Sequence, residues 1–244
     1  MQNAQNFKDF QEFISLLTPK VQKNIRIVTK QDTQLLHIDI KTPKEFIPML
    51  PRRAAKTEDN TVPRITVADT LLGCIYGYSS AIYEFESQPD IQGYYISSLD
   101  FDYALKVNRF LVYDAETTGE HWLVCYNEST KTYKPNKIGK MFFTKTTRTR
   151  SNDKLVLQIE SEIVIEVFKG CEFKLTTVDA LKTGYWRVKI NMTKHHNNYK
   201  LQRVDDRDII EINNLTEEEY TSIKGLSASM LSMSSTNIPL SHRW

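Results

Sequence analysis

The sequence predicts an α+β protein, with a mixed helix-and-strand N-terminal domain followed by a β-rich C-terminal module. Helical and strand-like hydrophobic patterns alternate over the first 133 residues. Beyond a polar stretch at 133–139, short β-branched and aromatic runs dominate the chain. We therefore expect an N-terminal domain at 1–133, a β-rich partner-binding module at 139–224 and a flexible Ser/Met-rich tail at 225–244.

The N-terminal domain is predicted to open with an amphipathic helix at 7–17, where apolar residues recur at helical spacing. Strands at 25–29 and 35–40 flank a polar tetrapeptide that is typical of a hairpin turn. A strand at 64–67 then passes through an Asp-Thr cap into an apolar helix that reaches Tyr78. The other strands expected in this domain are 94–96, 110–113 and 122–126.

The C-terminal module is predicted to be a small antiparallel sheet or barrel, because its strand candidates are short and separated by polar residues. A last strand is expected near 208–212, followed by an acidic helix start at 216–219. The strand candidates are 141–144, 155–159, 163–168, 173–177 and 186–190.

Composition excludes several classes of function. The 32 basic and 30 acidic side chains leave a net charge of +2, too small to recruit nucleic acid or an anionic membrane globally. No apolar run is long enough to span a bilayer, and the N-terminus does not resemble a signal peptide. Three widely spaced cysteines and five histidines, without a Cys-x-x-Cys pair, predict a reducing cytoplasm and no metal site.

Three residue types that suit glycosidic chemistry occur in the first half of the chain. His37 lies inside an apolar strand, Tyr76 and Tyr78 end the apolar helix, and Glu120 begins a strand. A carboxylate stabilises the positive charge that develops as a glycosidic bond breaks, and imidazole binds ribose hydroxyls. An aromatic ring packs against a planar base. Each residue also has a structural interpretation, as a strand histidine, a solvated strand end or a core aromatic.

This order of residues resembles the ADP-ribosyltransferase fold of the diphtheria-toxin and poly-ADP-ribose polymerase type. The resemblance covers residues 33–127 and implies a split-sheet N-terminal domain that binds NAD. It further implies that His37 holds the ribose and that Tyr78 or Tyr76 stacks on the nicotinamide. Glu120 is then the residue that acts at the ribose.

Arginines flank the polar loop at 51–63 that precedes the central strand. Arg52, Arg53 and Arg64 are candidates for binding a pyrophosphate, because guanidinium groups bind phosphate oxygens bidentately. Surface arginines are the alternative interpretation. We expect this loop to take part in function, since long polar loops inside compact domains often do.

A basic run in the second half carries Lys145, Arg148 and Arg150 beside two phenylalanines. Basic side chains interleaved with aromatic rings are able to bind single-stranded nucleic acid. A solvated hairpin is the alternative, so nucleic acid is a possible partner rather than an expected one.

The segment 58–78, EDNTVPRITVADTLLGCIYGY, also resembles uncharacterised proteins of tailed bacteriophages. The two resemblances together imply a phage-derived protein of the host cytoplasm that uses NAD or a related nucleotide to modify or neutralise a host factor. The alternative is a non-catalytic phage protein, which binds a host protein as an inhibitor or anti-defence factor or takes part in virion assembly.

Overall fold

The computed structural model describes residues 2–40, 43–51, 58–77, 93–150, 156–197, 200–203 and 209–234. The chain divides into two compact units, each assembled from separate stretches of sequence. Unit 1 comprises Met1–Tyr78, Tyr95–Ile138 and Glu172–Leu181, and unit 2 comprises Ser79–Tyr94, Gly139–Cys171 and Lys182–Trp244.

Unit 1 is built on an antiparallel set of strands in the order β1-β5-β6-β3-β2-β4. The strands are β1 (Ile25–Thr29), β2 (Leu36–Asp39), β3 (Ile65–Ala68), β4 (Tyr94–Leu99), β5 (Tyr103–Val107) and β6 (Glu120–Leu123). The helices are α1 (Gln2–Leu16), α2 (Pro19–Lys23), α3 (Leu71–Gly77) and α4 (Ala115–Thr118), with a 3-10 turn at Glu128–Thr130.

The strands of unit 1 bury apolar side chains on both faces. One face, the Trp122 face, packs Trp122 and Leu105 against Phe10 of α1 and Val21 of α2. The opposite face, the Val67 face, carries a second cluster that includes Val67, Leu35, Ile65, Leu123 and Tyr133. This division follows from the period of two in a strand, which sends Trp122 and its neighbour Leu123 to opposite faces.

The described residues of unit 2 form antiparallel strands and a C-terminal helix. The order is β7-β8-β9-β10, and β9 pairs with β11 as well as with β10. Tyr220 of the helix packs against Phe142, Val164 and Leu215. The elements are β7 (Pro135–Arg150), β8 (Val156–Lys174), β9 (Ala180–Asn197), β10 (Lys200–Arg203), β11 (Ile209–Leu215) and α5 (Glu217–Ser234).

The predicted α+β class is wrong, and so is the split-sheet mixed domain expected for the N-terminal half. About 45% of the described residues lie in strands and 25% in helices, and the fold is β-rich. The reason is visible in β8, where Glu160 is exposed within a continuous strand. Glu160, which the sequence placed between two short strands, lies instead on the solvent side of one longer strand, as antiparallel sheets allow.

Two local predictions also need correction. The turn after β1 forms, with Asp32 N donating to Thr29 O at 2.9 Å. The expected hairpin does not, because β1 pairs with β5 and β2 pairs with β3 and β4. Residues 110–113 form a turn rather than a strand, and Leu111 N donates to Asn108 O at 3.0 Å.

Other local predictions are confirmed. Helix α1 covers the predicted helix except its last residue, and β3 leads into α3 as expected. Helix α5 starts with the expected cap, in which Glu219 N donates to the Thr216 hydroxyl at 3.2 Å. The same helix continues to Ser234, and residues 235–244 of the predicted tail lie outside the described residues.

Close packing of α3 against α4 yields a first prediction. A Cβ atom at Gly73 would overlap the Thr118 carbonyl oxygen, whereas one at Gly77 in the same helix has nothing within 4 Å. We expect Gly73→Ala to lower the free energy of unfolding by about 1–3 kcal/mol, as overpacking does. Gly77→Ala is the matched control and should change it by less than about 1 kcal/mol. Urea denaturation measures both, and equal stability of the two variants would contradict the packing.

Candidate functional site

Unit 1 contains a cavity of about 370 Å³ beside the central strands. Residues of β2, β3, α3, α4 and β6 border it, together with Glu58 and Asp114. The cavity lies where strands β2 and β3 separate. β2 pairs with β4 over four residues, and β3 pairs with β6 over four. Between β2 and β3, the single described pair is Leu36↔Ala68. The cavity therefore lies at a break in the strand ladder.

Glu120 is the most buried carboxyl group bordering the cavity, at 7% exposure. Gly119, with φ of 60°, ends α4 in the left-handed conformation and turns the chain directly into β6. The Glu120 Oε1 atom accepts a hydrogen bond from the Trp122 indole N–H at 2.7 Å. Burial raises the pKa of Glu120 to about 7, against the lowering effects of that hydrogen bond and of Arg64. Glu120 therefore titrates near neutral pH.

Arg64 organises the loop beside Glu120. Its guanidinium lies 4.0 Å from the centre of the Trp122 ring and pairs with the Glu58 carboxylate at 2.7 Å. It also donates to the carbonyl oxygens of Asp59 and Val62 at 2.9 and 3.3 Å. Arg64 is only 5% exposed, so these contacts give it a structural part in shaping the cavity wall. Its predicted binding of a pyrophosphate stays a prediction.

His37 and Glu120 both border the cavity, but their side chains leave the strands on opposite faces. Leu36 pairs with Ala68 and Ala68 with Glu120, so these three side chains share one face of the strands. His37 follows Leu36 and therefore faces the other way, although it borders the cavity. Its ring packs against Phe46, with centroids 4.6 Å apart.

The environment of His37 is that of a neutral imidazole. Its Nδ1 atom is buried without a hydrogen-bond partner in the described part of the chain. Burial lowers the pKa of His37, and the nearby Asp39 opposes this effect. The part predicted for His37 in ribose binding stays a prediction.

The remaining predicted site residues fall into two groups. Tyr76 is buried at 8% exposure and is absent from the described residues that border the cavity. Arg52, Arg53 and Tyr78 lie outside the described residues, so their predicted contacts stay predictions. The same holds for nucleic-acid binding by the side chains of Lys145, Arg148 and Arg150, of which only the backbone in β7 is described.

Sequence reasoning missed Glu58, Asp114 and Thr118, which border the cavity with Glu120. Glu58 belongs to the polar loop that was expected to be functional, but the sequence singled out only its arginines. Asp114 and Thr118 lie in the segment immediately before Glu120. Polar residues immediately before a strand that starts with a candidate carboxylate are a signal that would have found them.

The chain has no match among protein-family profiles, curated proteins or solved structures. None of the described helices is long and apolar enough to cross a membrane. Within the described residues, no three His, Cys, Asp or Glu side chains are grouped so as to hold a metal ion. The function of the cavity therefore has to be argued from its own geometry.

The buried Glu120 makes stability depend on pH. In the folded chain its pKa is about 7, against 4.5 for an unperturbed glutamate. The folded state therefore holds a proton that the unfolded state releases, and the stabilisation present below about pH 4.5 is lost as pH rises to about 7. The free energy of unfolding of Glu120→Gln minus that of wild type should therefore increase by up to about 3 kcal/mol as the pH rises from 4.5 to 8.

Urea denaturation of wild type and variant across this range measures the difference. Glu116→Gln is the control, because Glu116 lies on the neighbouring helix and is exposed. Parallel pH profiles for wild type and Glu120→Gln would show that Glu120 is solvated and titrates normally.

Proposed function

We propose that the cavity binds the nucleoside portion of NAD or of a related nucleotide as a substrate, and that Glu120 acts at the glycosidic bond. The observation that carries this proposal is the position of Glu120 beside a cavity bordered by two further carboxyl groups, Glu58 and Asp114. At about 370 Å³, the cavity is at the small end of ligand pockets and suits one nucleoside rather than a whole dinucleotide.

The polar groups around the cavity suit a ribose. Carboxylates accept hydrogen bonds from hydroxyl groups, and Glu58, Asp114 and Glu120 supply such acceptors. The hydroxyl of Thr118 donates within its own helix, to the carbonyl oxygen of Asp114 at 3.1 Å. Three carboxyl groups disfavour a phosphate in the same space. We therefore expect the phosphates to lie outside the cavity, where Arg52 and Arg53 are the predicted contacts.

The charge of Glu120 suits cleavage of a nicotinamide glycosidic bond. As the bond between the ribose carbon and the pyridinium nitrogen breaks, its electron pair leaves with neutral nicotinamide, and positive charge develops on the ribose. An ionised carboxylate in a buried site stabilises that charge strongly. Water or a nucleophilic side chain of a target protein then bonds to the ribose carbon and loses its proton to solvent. The reaction therefore needs Glu120 ionised, and its rate should rise with pH through about 7.

The biological setting we propose is a phage protein that modifies or neutralises a host factor in the host cytoplasm. A modification of this kind needs both a nucleotide and a protein target, and the cavity accounts for the nucleotide alone. The target is the part of this proposal that rests on the sequence resemblances.

Binding of a host protein without catalysis is a second candidate, and one observation favours it. Ile47, Met49 and Leu50 are exposed by 57, 53 and 51%, within one short segment of unit 1. Exposed apolar side chains grouped in this way often mark protein interaction sites. Replacing Ile47 and Leu50 by Ser should then abolish capture of a host protein while nucleoside binding is kept.

Nicotinamide release from NAD tests the catalytic proposal. We expect Glu120→Gln to reduce the rate by about 100-fold or more, because the amide carries no charge to stabilise the ribose. The exposed Glu116→Gln variant should behave as wild type. The assay is run with and without host lysate and with NAD labelled in its adenosine part, so that both hydrolysis and transfer to protein are detected. Equal rates for wild type and Glu120→Gln would remove Glu120 from the mechanism.

A further inference from the structure

The indole of Trp122 fixes one oxygen of the Glu120 carboxyl group. Its N–H donates to Glu120 Oε1 at 2.7 Å, and the ring is 0% exposed, so packing holds the donor in place. The two residues are two positions apart on β6 and leave the strand on the same face. Glu120 borders the cavity, whereas Trp122 is absent from the described residues that border it. Trp122 therefore acts on a ligand in the cavity through Glu120.

Arg64 holds the indole from the face of the ring. Its guanidinium carbon lies 4.0 Å from the ring centre. The guanidinium is fixed in turn by the Glu58 carboxylate at 2.7 Å and by the Asp59 carbonyl oxygen at 2.9 Å. A cation over an aromatic ring polarises the ring, which strengthens the N–H at its edge as a donor. The donor to Glu120 is therefore both immobile and strengthened.

The hydrogen bond to Oε1 determines where Glu120 carries its proton. An N–H donor needs an oxygen lone pair, and in a neutral carboxyl group the carbonyl oxygen is the better acceptor. The proton of neutral Glu120 therefore belongs on the other oxygen, Oε2. Because Trp122 occupies Oε1, Oε2 is also the oxygen left for a ligand in the cavity.

We infer, on the basis of the proposed function, that Trp122 is a positioning residue, which holds Oε1 so that Oε2 is aimed at the ribose. Positive charge develops on the ribose as the glycosidic bond breaks. A carboxylate that is already held in place stabilises this charge without having to reorganise during the reaction. A carboxylate that is free to rotate loses that advantage.

The same hydrogen bond influences the pH at which Glu120 ionises. Burial is the main cause of the raised pKa of Glu120, and the charges of Asp114 and Glu58 add to it. The Trp122 N–H and the charge of Arg64 act in the opposite direction, because both favour the ionised carboxylate. Removing the N–H should therefore raise the pKa of Glu120 further.

Two other ionisable side chains border the cavity, those of His37 and Cys74. Burial lowers the pKa of His37 and raises that of Cys74 to about 12, so both are neutral near pH 7. A change in the ionisation of Glu120 near that pH is therefore not caused by either group.

Trp122→Phe removes the N–H and keeps an aromatic ring. Trp186→Phe is the matched control, because its indole N–H donates at 2.8 Å to the main-chain carbonyl of Lys182 and not to a carboxyl group. Carbon NMR of the Glu120 carboxyl group measures its ionisation in the full chain without a ligand. We expect Trp122→Phe to raise the midpoint of this titration by about one pH unit, and the control to leave it unchanged. An unchanged midpoint in Trp122→Phe would overturn the inference and leave the proposed function standing.

Nicotinamide release from NAD tests positioning apart from charge. It is measured above the titration midpoints of both proteins, where Glu120 is ionised in wild type and variant alike. We expect Trp122→Phe to lower kcat by about tenfold with little change in KM, because the charge is present but no longer aimed. Equal kcat values would overturn the inference alone, whereas no release by wild type would overturn the proposed function and the inference together.

Benzothienylalanine at position 122 keeps the shape of indole and has sulfur in place of the N–H. It serves if Trp122→Phe does not fold, since it fills the same volume in the core. It should shift the titration midpoint in the same direction and by a similar amount. A midpoint equal to that of wild type in this variant would overturn the inference.

Discussion

The complete burial of Trp122 is the constraint on which this part of the molecule depends. The ring is 0% exposed and packs among apolar side chains that include Phe10 and Leu105. A buried indole N–H needs an acceptor, and Glu120, two residues earlier on the same face, supplies it. The face of the ring in turn takes the guanidinium of Arg64. One aromatic side chain thus holds a carboxyl group and a cation beside the cavity.

β2 and β3 share only one described pair, but each strand is stabilised by pairing with another strand. β2 is paired along its length with β4, and β3 with β6. Helix α3 adds a contact at the point where the ladder ends, through the Cys74 thiol and the Leu36 carbonyl. Each hydrogen bond that the short ladder lacks is worth about 1 kcal/mol, which is small beside the pairing and packing that fix both strands. A cavity between strands of one sheet can therefore persist.

Sequence patterns predicted the elements whose signals are local. The β3-to-α3 junction, the start of β6 at Glu120 and the Thr216 cap all depend on residues within one turn or one strand. Pairing depends on distant residues, so no local pattern showed that β1 pairs with β5 rather than with β2. Register across three strands likewise determines that Glu120 and Leu36 share one face, whereas His37 lies on the opposite face.

Under the proposed function, the position of Glu120 links the stability of the folded chain to the charge of the ligand. At neutral pH its ionised form is held in a buried site, which lowers the stability of the folded chain. A positively charged group in the cavity stabilises the ionised form and lowers the pKa of Glu120. If the cavity binds a cationic nucleoside as proposed, binding should release a proton near pH 7, while a neutral nucleoside should lack this coupling. The same electrostatic cost that weakens the free protein thus favours a ligand that is positively charged or becomes so as its glycosidic bond breaks.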